Sequence, residues 1–341
     1  MELRKRIKWL FWSTFTFLSL AVGLFATIVL IQVKPAIFEA YLVDPANWRA
    51  KNIRMDLPKG ERGKLIKYGH KLVSETPKWM GPDSDDDVLK FTGNHLSCTN
   101  CHLEGGTKRG AAAWIGISQR FPQFKGRENR NVTLKDRVNG CMERSMNGKK
   151  LPEESTQMEA IIAYMDWLSE GVPEEISQQY TGFPEIAIPN VKADLVKGKE
   201  IYTVECQTCH GEDGAGIKTA NNSTYQFPPL WGQDTYNHGA GMNRVLTAAQ
   251  FIKGNMPFGQ ATYEQPKLSD EEAFHVAAYI NSFSRPVKQF TEQDFPDLVL
   301  KPVSTPYGPW ADDFSEEQHK YGPFPPIISY YKDKHGITKK K

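Results

Sequence analysis

The sequence predicts an all-α protein of two successive helical units, set behind an N-terminal apolar helix and followed by an irregular C-terminal extension. Three observations carry that prediction. A run of 25 residues without a formal charge, Trp9 to Val33, follows a basic start. The pattern Cys-x-x-Cys-His occurs twice, as Cys98-Thr99-Asn100-Cys101-His102 and as Cys206-Gln207-Thr208-Cys209-His210. Each copy is flanked by segments whose apolar residues recur at helical spacing. A length of 341 residues suits two domains. A chain with 40% hydrophobic and 24% charged residues buries a core, which excludes wholesale disorder. The net charge is only +2, so no global field selects nucleic acid, and no such partner is expected.

The N-terminal element is justified by length and flanks. Glu2, Arg4, Lys5, Arg6 and Lys8 precede the uncharged run, which at about 1.5 Å per residue is long enough for a bilayer core of about 30 Å. A cleaved signal peptide is the competing reading. Its apolar core usually spans about 7–15 residues and ends in small residues. Here the run is longer, and Gln32-Val33-Lys34-Pro35 offers no such cleavage site. The expectation is an uncleaved anchor over residues 1–34, crossing the inner (cytoplasmic) membrane once. The basic flank stays cytoplasmic and the remaining chain lies on the periplasmic side.

The cysteines carry the chemistry. Cys-x-x-Cys-His marks covalent attachment of c-type haem: two thiols add to the vinyl groups, and the adjoining histidine is carried onto the iron. One match could be accidental, or a zinc or redox pair. Two matches in one exported chain, beside the glycine-rich loops Gly105-Gly106 and Gly211 to Gly216, read as a dihaem cytochrome c. Cys98, Cys101, Cys206 and Cys209 are then the attachment thiols, and His102 and His210 the axial ligands. Only Cys141 is left over, so disulfides are largely excluded.

The two units repeat. Leu195 to Tyr202 reads as a helix running toward Cys206, and Leu65 to Val73 has a similar pattern upstream of Cys98, separated from it by an insertion containing Asp83 to Asp87. Downstream, Glu159 to Ser169 parallels Ala273 to Ser284, each a helix that covers a haem. The aromatic residues in these segments read as core. In the second unit, Gly254-Asn255-Met256-Pro257-Phe258-Gly259 lies 46 residues after His210, in a loop of the kind that presents a methionine thioether to iron. Met256 stands 23 residues before Tyr279, and counting 23 residues back from Tyr164 reaches Cys141. The odd cysteine therefore occupies the position that the sister unit gives to methionine, as an iron ligand or a reactive thiol. A buried free thiol, or ligation by Met142 or Met146, are the alternatives.

A thiolate on haem iron favours the ferric state and lowers the potential, whereas methionine raises it. Cations nearby stabilise that thiolate. If Asp136 to Ser145 is helical, Arg137 at i−4 and Ser145 at i+4 share a face with Cys141, and Arg144 at i+3 lies close. Arg127 precedes them. Guanidinium forks match anionic oxygens. A thiol, an iron and several arginines together suggest a small sulfur oxyanion as substrate. The competing role for these arginines is to bind haem propionates.

Phe121-Pro122-Gln123-Phe124 with Arg127, and Arg137-Val138-Asn139-Gly140-Cys141-Met142-Glu143-Arg144-Ser145-Met146-Asn147-Gly148-Lys149, strongly resemble thiosulfate dehydrogenases of the dihaem cytochrome c type. So do Tyr307-Gly308-Pro309-Trp310-Ala311-Asp312 and Glu317 to Phe324. The resemblance covers about residues 55 to 328. It implies two class I cytochrome c domains, with His/Cys ligation of the first haem and His/Met ligation of the second. It also implies interconversion of two thiosulfates with tetrathionate and two electrons. Carried over by position, Cys141 is the active-site thiolate, with Arg127, Arg137 and Ser145 around the substrate. Some relatives have a lysine just before the second-haem methionine and exchange the two ligands with redox state. Here Asn255 stands there, so steady ligation by Met256 is expected. The anchor is a second departure, from members exported as soluble proteins.

The expected division is residues 1–34 as anchor, 55–179 as the first cytochrome domain, 180–193 as linker, 194–285 as the second and 286–341 as the extension. The electron partner expected is a cytochrome c or a membrane oxidase. The alternative function is a membrane-anchored dihaem carrier that catalyses nothing; such a carrier would more usually have a methionine or histidine in place of Cys141 and no arginine pocket. A sulfur-transferring cytochrome is a third reading, which would need a carrier protein presenting a thiol.

Overall fold

A computed structural model describes residues 2–33, 47–220 and 224–339. Lys34, the end of the expected anchor, lies outside the described residues. Helix α1 (Glu2–Val33) projects its large apolar side chains outward: Trp9, Phe11, Phe17, Leu20 and Phe25 are all exposed. Its hydroxyls are satisfied within the helix, with Thr14 Oγ1 donating to the Leu10 carbonyl, Thr16 to Trp12 and Thr27 to Gly23 at 2.8–2.9 Å. An apolar solvent demands that internal pairing. Length and composition let this helix cross a membrane, a test that a signal sequence near an N-terminus also passes.

Two helical units follow, built on the same plan. In the first, α2 (Gly60–Ser74) packs across α4 (Thr156–Ser169), with α3 (Leu134–Arg144) between them in sequence. In the second, α5 (Leu195–Glu205) packs across α7 (Asp270–Ile280), with α6 (Val245–Asn255) between. Both crossings are made at a glycine. A Cβ on Gly69 would lie 2.0 Å from the Ala160 carbonyl oxygen, and one on Gly198 would lie 2.3 Å from that of His275. No side chain fits there, so the helices meet backbone to backbone, with Tyr164 and Tyr279 against the respective glycines. The covering helices start at serine caps: Ser155 accepts from Met158 N–H, and Ser269 forms a reciprocal box with Glu272. Ile66, Leu72, Val138, Met142, Ile161 and Leu168 fill the first core; Val245, Leu246, Ala249, Phe274 and Ala277 fill the second.

Sheet is limited to two antiparallel hairpins among the described residues. Strands β1 (Gln123–Lys125) and β2 (Arg130–Val132) pair Gln123 with Val132 and Lys125 with Arg130. The turn between these two strands carries Arg127. Strands β3 (Ile217–Lys218) and β4 (Tyr225–Phe227) form the other hairpin.

The C-terminal extension is more ordered than its composition suggests. It forms a helical turn at Glu316–Tyr321 and then α8 (Pro325–His335), and it adds Val303, Phe324, Ile327 and Tyr331 to the second core. Its paired prolines, Pro325 and Pro326, occupy the first positions of α8, where a missing N–H costs nothing. A buried chain of polar groups fixes it. His319 bonds the Val303 carbonyl through Nδ1 (2.8 Å) and Asp312 through Nε2 (2.9 Å), and the Tyr331 hydroxyl donates to the same carboxylate (2.5 Å).

Polar contacts also join the two units. Asn94 donates to the carbonyls of Ser145 (2.9 Å) and Thr235 (3.1 Å). Asn237 donates from its backbone to Arg144 (3.1 Å) and from its amide to Glu143 (2.9 Å). Asn255 donates to the Gly110 carbonyl at 2.8 Å. Buried carbonyls paired in this way hold the first unit's α3 against the second unit.

Candidate active site

The two Cys-x-x-Cys-His segments sit in matching local frames. Cys98–Asn100 forms a tight turn and Gln207–His210 a short helical one. His102 Nδ1 bonds the Ala112 carbonyl at 2.8 Å, and His210 Nδ1 bonds the Pro228 carbonyl at 2.8 Å. A carbonyl partner fixes the proton on Nδ1 and leaves Nε2 as the donor to a metal. The loops that follow each histidine pack on a tryptophan. A Cβ on Gly106 would lie 2.2 Å from Trp114, and one on Gly214 would lie 2.3 Å from Trp231. Both glycines hold positive φ, a conformation that costs glycine little.

These surroundings fit haem. In the first unit a cavity of about 280 Å³ has Cys98 and His102 on its lining together with Cys141; Val73, Trp114, Leu134, Val138, Ile161 and Met165 give it a largely apolar wall, and Arg120, Lys125 and Arg137 add cations to the lining. In the second unit, Cys206 and Leu230 share an apolar cluster with two thioethers, Met242 and Met256. Trp231 stacks on Phe283 with ring centres 4.1 Å apart, against Tyr202 and Tyr279. Two buried N–H donors of Arg285, Nε and Nη1, have no protein partner among the described residues. Unpaired donors of that kind suit the propionates of a porphyrin. The donor set is therefore appropriate: imidazole, thioether and thiol are all ligands that haem iron accepts.

Cys141 lies on α3, whose N-terminus is fixed by a box between Thr133 and Asp136. It lines the same cavity as His102. Burial pushes its thiol up, yet Arg137, His102 and Arg144 together outweigh burial and bring it down to about 7. Cys141 and His102 also line a second cavity of about 390 Å³ between the two units, with Arg127, Arg137, Arg144 and Ser145. The helical face inferred from spacing is thus brought together: Arg137, Cys141 and Ser145 open onto one chamber. Met142 and Met146, the alternative ligands, line the first cavity but not this one.

The chamber contains groups that the sequence did not reveal. Asp294, on the extension, is buried and bridges two arginines: Oδ2 accepts from Arg127 (2.8 Å) and Oδ1 from Arg144 (2.5 Å). The Tyr307 hydroxyl donates to Oδ2 at 2.8 Å. Burial raises the Asp294 carboxyl, but the two guanidinium groups hold it below its ordinary range. Lys125 on β1 and Arg244 at the start of α6 also line the chamber, as do the carboxylates Glu128 and Asp136. Burial, aided by Arg137, lowers Lys125. No local pattern marks Asp294, Lys125 or Arg244, since each comes singly from a different element. The tail containing Tyr307 was the only part of this set that the sequence singled out.

At the second unit, Asn255 is fully buried and its amide donates to Gly110 and to Phe251 (2.8 and 2.9 Å), so it presents no amine. Met256 follows directly and packs in a small apolar cluster with Leu103, Ala111 and Phe251.

The chain matches two family models: that described as "SoxA/TsdA, cytochrome c domain" over residues 90–173 and that described as "Cytochrome c" over residues 195–284. It is 40% identical over 231 residues to the thiosulfate dehydrogenase of Stutzerimonas stutzeri (strain A1501), covering 68% of this chain and 71% of that one. To the thiosulfate dehydrogenase of Allochromatium vinosum it is 41% identical over 237 residues, covering 68% and 83%. Among solved structures it resembles the "as isolated" thiosulfate dehydrogenase (TsdBA) of Marichromatium purpuratum, with a TM-score of 0.62 and 31% identity. That likeness covers 71% of this chain and 50% of the other, so the chain spans half the length of that structure.

Proposed function

This chain belongs to the thiosulfate dehydrogenase family, and from that premise we propose that it joins two thiosulfates into tetrathionate, with release of two electrons. It consists of two cytochrome c domains and carries two covalently bound c-type haems. The ligand sets proposed are His102 and Cys141 for the first haem and His210 and Met256 for the second, with Cys98, Cys101, Cys206 and Cys209 as the attachment thiols. The matching histidine frames and the thiol facing His102 support this. The domain division proposed is 55–179 and 194–285, joined by 180–193 and followed by 286–341.

One observation carries the functional reading: the thiol that faces His102 also opens onto a chamber lined by arginines. Each thiosulfate brings two negative charges, and two such anions repel strongly where the effective dielectric is low. Arg127 and Arg137 offset that repulsion. The Cys141 thiolate and the outer sulfur of one thiosulfate form a sulfur–sulfur bond with loss of two electrons. The outer sulfur of the second thiosulfate then attacks that fragment at its sulfur nearest the sulfonate, which releases tetrathionate and restores the thiolate. When bound, the haems supply one-electron acceptors for the two electrons. Beside binding, Arg137 favours the thiolate form of Cys141.

The test is an anaerobic assay of the purified holoprotein with thiosulfate plus an oxidant, then with tetrathionate plus a reductant. Turnover in neither direction sinks the proposal and leaves an electron carrier. For placement, we propose that α1 is retained as an anchor in the cytoplasmic membrane, with both cytochrome domains on the periplasmic side. The uncharged run, its basic flank and its outward apolar side chains support this. The proposed electron partner is a cytochrome c or a membrane oxidase. A product that starts near residue 36–41 and stays soluble would overturn the anchor.

A further inference from the structure

Four arginines line the interdomain chamber, and they are not alike. Arg127 and Arg144 end on Asp294. The Arg137 side chain donates to no protein acceptor among the described residues. Arg244 stands at the start of α6, in the second cytochrome domain, and enters the chamber from the opposite unit. Its Nε reaches the Gly241 carbonyl at 3.5 Å, a long contact, and its terminal nitrogens reach no protein acceptor among the described residues. Burial brings its pKa down to about 10, and Arg127 and Arg137 add to the cost of its charge while Tyr307 offsets it.

A half-buried guanidinium whose terminal nitrogens have no protein acceptor among the described residues, lining a chamber beside three others, is placed to receive an anion. A second group points the same way. Thr247 lies three residues on, in the first turn of α6. It lines the same chamber and is 5% exposed, and its hydroxyl has no hydrogen-bond partner among the described residues. The start of α6 thus brings terminal guanidinium nitrogens and a hydroxyl, both without a protein acceptor among the described residues, to the chamber that Cys141 enters from the other domain. The charge of the substrate asks for such a group. The half of the product held through Cys141 has Arg137 on its own helix, whereas the incoming half needs cations that Asp294 has not already neutralised.

We propose that Arg244 and Thr247 form a second oxyanion-receiving subsite, built by the second cytochrome domain, which takes the sulfonate of the substrate half not joined to Cys141. This rests on the thiosulfate reading of the site. The subsite makes the domain interface part of substrate binding, so tetrathionate is gripped at its two ends by arginines from different domains. A haem propionate offers the same oxyanion chemistry to Arg244, and the two ligands are separated by experiment.

Tetrathionate is titrated calorimetrically into the oxidised holoprotein with no electron donor, so that nothing turns over. The same samples give visible spectra and the midpoint potentials of both haems. Arg244→Gln is expected to weaken tetrathionate binding by about 10-fold or more, the worth of a charge-assisted hydrogen bond. Thr247→Val is expected to weaken it by a few-fold, and Arg244→Lys to fall between wild type and Arg244→Gln; spectra and potentials stay as in wild type. Unchanged affinity in Arg244→Gln beside lost affinity in Arg137→Gln overturns the subsite alone. A shifted haem potential in Arg244→Gln with unchanged tetrathionate affinity assigns the arginine to a propionate and also overturns it. A wild-type protein that binds no tetrathionate removes the thiosulfate reading itself.

Discussion

The two cytochrome domains share a scaffold and part company at one segment. Both cross their helices at a glycine, Gly69 or Gly198, under a tyrosine, Tyr164 or Tyr279. Both pin the motif histidine to a backbone carbonyl and pack the next loop on a tryptophan. The contrast lies 23 residues before the tyrosine. There the first domain has Cys141, on a helix among cations, and the second has Met256, just past a helix end and among apolar side chains. A charged, open chamber suits a sulfur that must react with anions. Apolar surroundings suit the thioether ligand proposed for the second haem. The comparison teaches that the shared scaffold supplies matching histidine frames, while the segment between motif and covering helix is where the two domains differ, and on the proposed reading it separates a reacting haem from an electron-passing one.

Giving the first domain the second domain's ligand should have the largest effect. Cys141→Met is expected to retain both covalent haems yet lose turnover in both directions by roughly a thousandfold or more, since the proposed covalent nucleophile is gone. Haem content by pyridine haemochrome and anaerobic rates check it. Near-wild-type thiosulfate oxidation in this variant would erase the functional contrast and leave two electron-passing domains.

The converse change touches the second domain. Met256→Gly should lower the potential of one haem and remove the near-infrared band of methionine-ligated ferric haem, with the other haem unchanged. Potentiometry with near-infrared spectra reads both. If the band survives, Met242, which borders the same cluster, is the ligand in its place.

Much of this contrast was legible in the sequence. The motifs, the flanking helices and the equal spacing that sets Cys141 opposite Met256 are all local or periodic features. The helical face of Arg137, Cys141 and Ser145 follows from 3.6-residue geometry. What escaped is what only tertiary packing assembles. Asp294 and Arg244 lie more than 100 residues from Cys141 in the chain, and neither sits in a repeating pattern. The extension is irregular by sequence because its repeated prolines and aromatics show no clear period, whereas Pro325 opens a helix that closes the second core.

The agreement between the two scaffolds is testable in the same way as their difference. Gly69→Ala and Gly198→Ala each push a Cβ into a carbonyl 2.0 or 2.3 Å away. Each should destabilise its own domain by about 1–3 kcal/mol, the range for overpacking. Differential scanning calorimetry of the holoprotein should show lower transitions for both, and an unchanged Tm for either would mean that its helix crossing relaxes freely.

Ser145→Ala should give the smallest effect. Ser145 ends α3, and its backbone is held there by bonds to Cys141 and from Asn94. Its hydroxyl makes no hydrogen bond to protein among the described residues, and it lines the chamber. Removing the hydroxyl therefore takes nothing from the fold and should leave Tm where it was. It removes one neutral donor to a sulfonate, worth about 0.5–1.5 kcal/mol, or roughly 2–10-fold in kcat/KM for thiosulfate. Arg137→Gln, which removes a charged donor from the same face, should cost more, on the order of 10–100-fold, and mostly through KM. Steady-state kinetics on the two variants rank them. If Ser145→Ala proved the more damaging, the hydroxyl would have to act on the Cys141 sulfur itself, and the contrast between the domains would rest on a hydrogen bond to the thiolate more than on the surrounding cations.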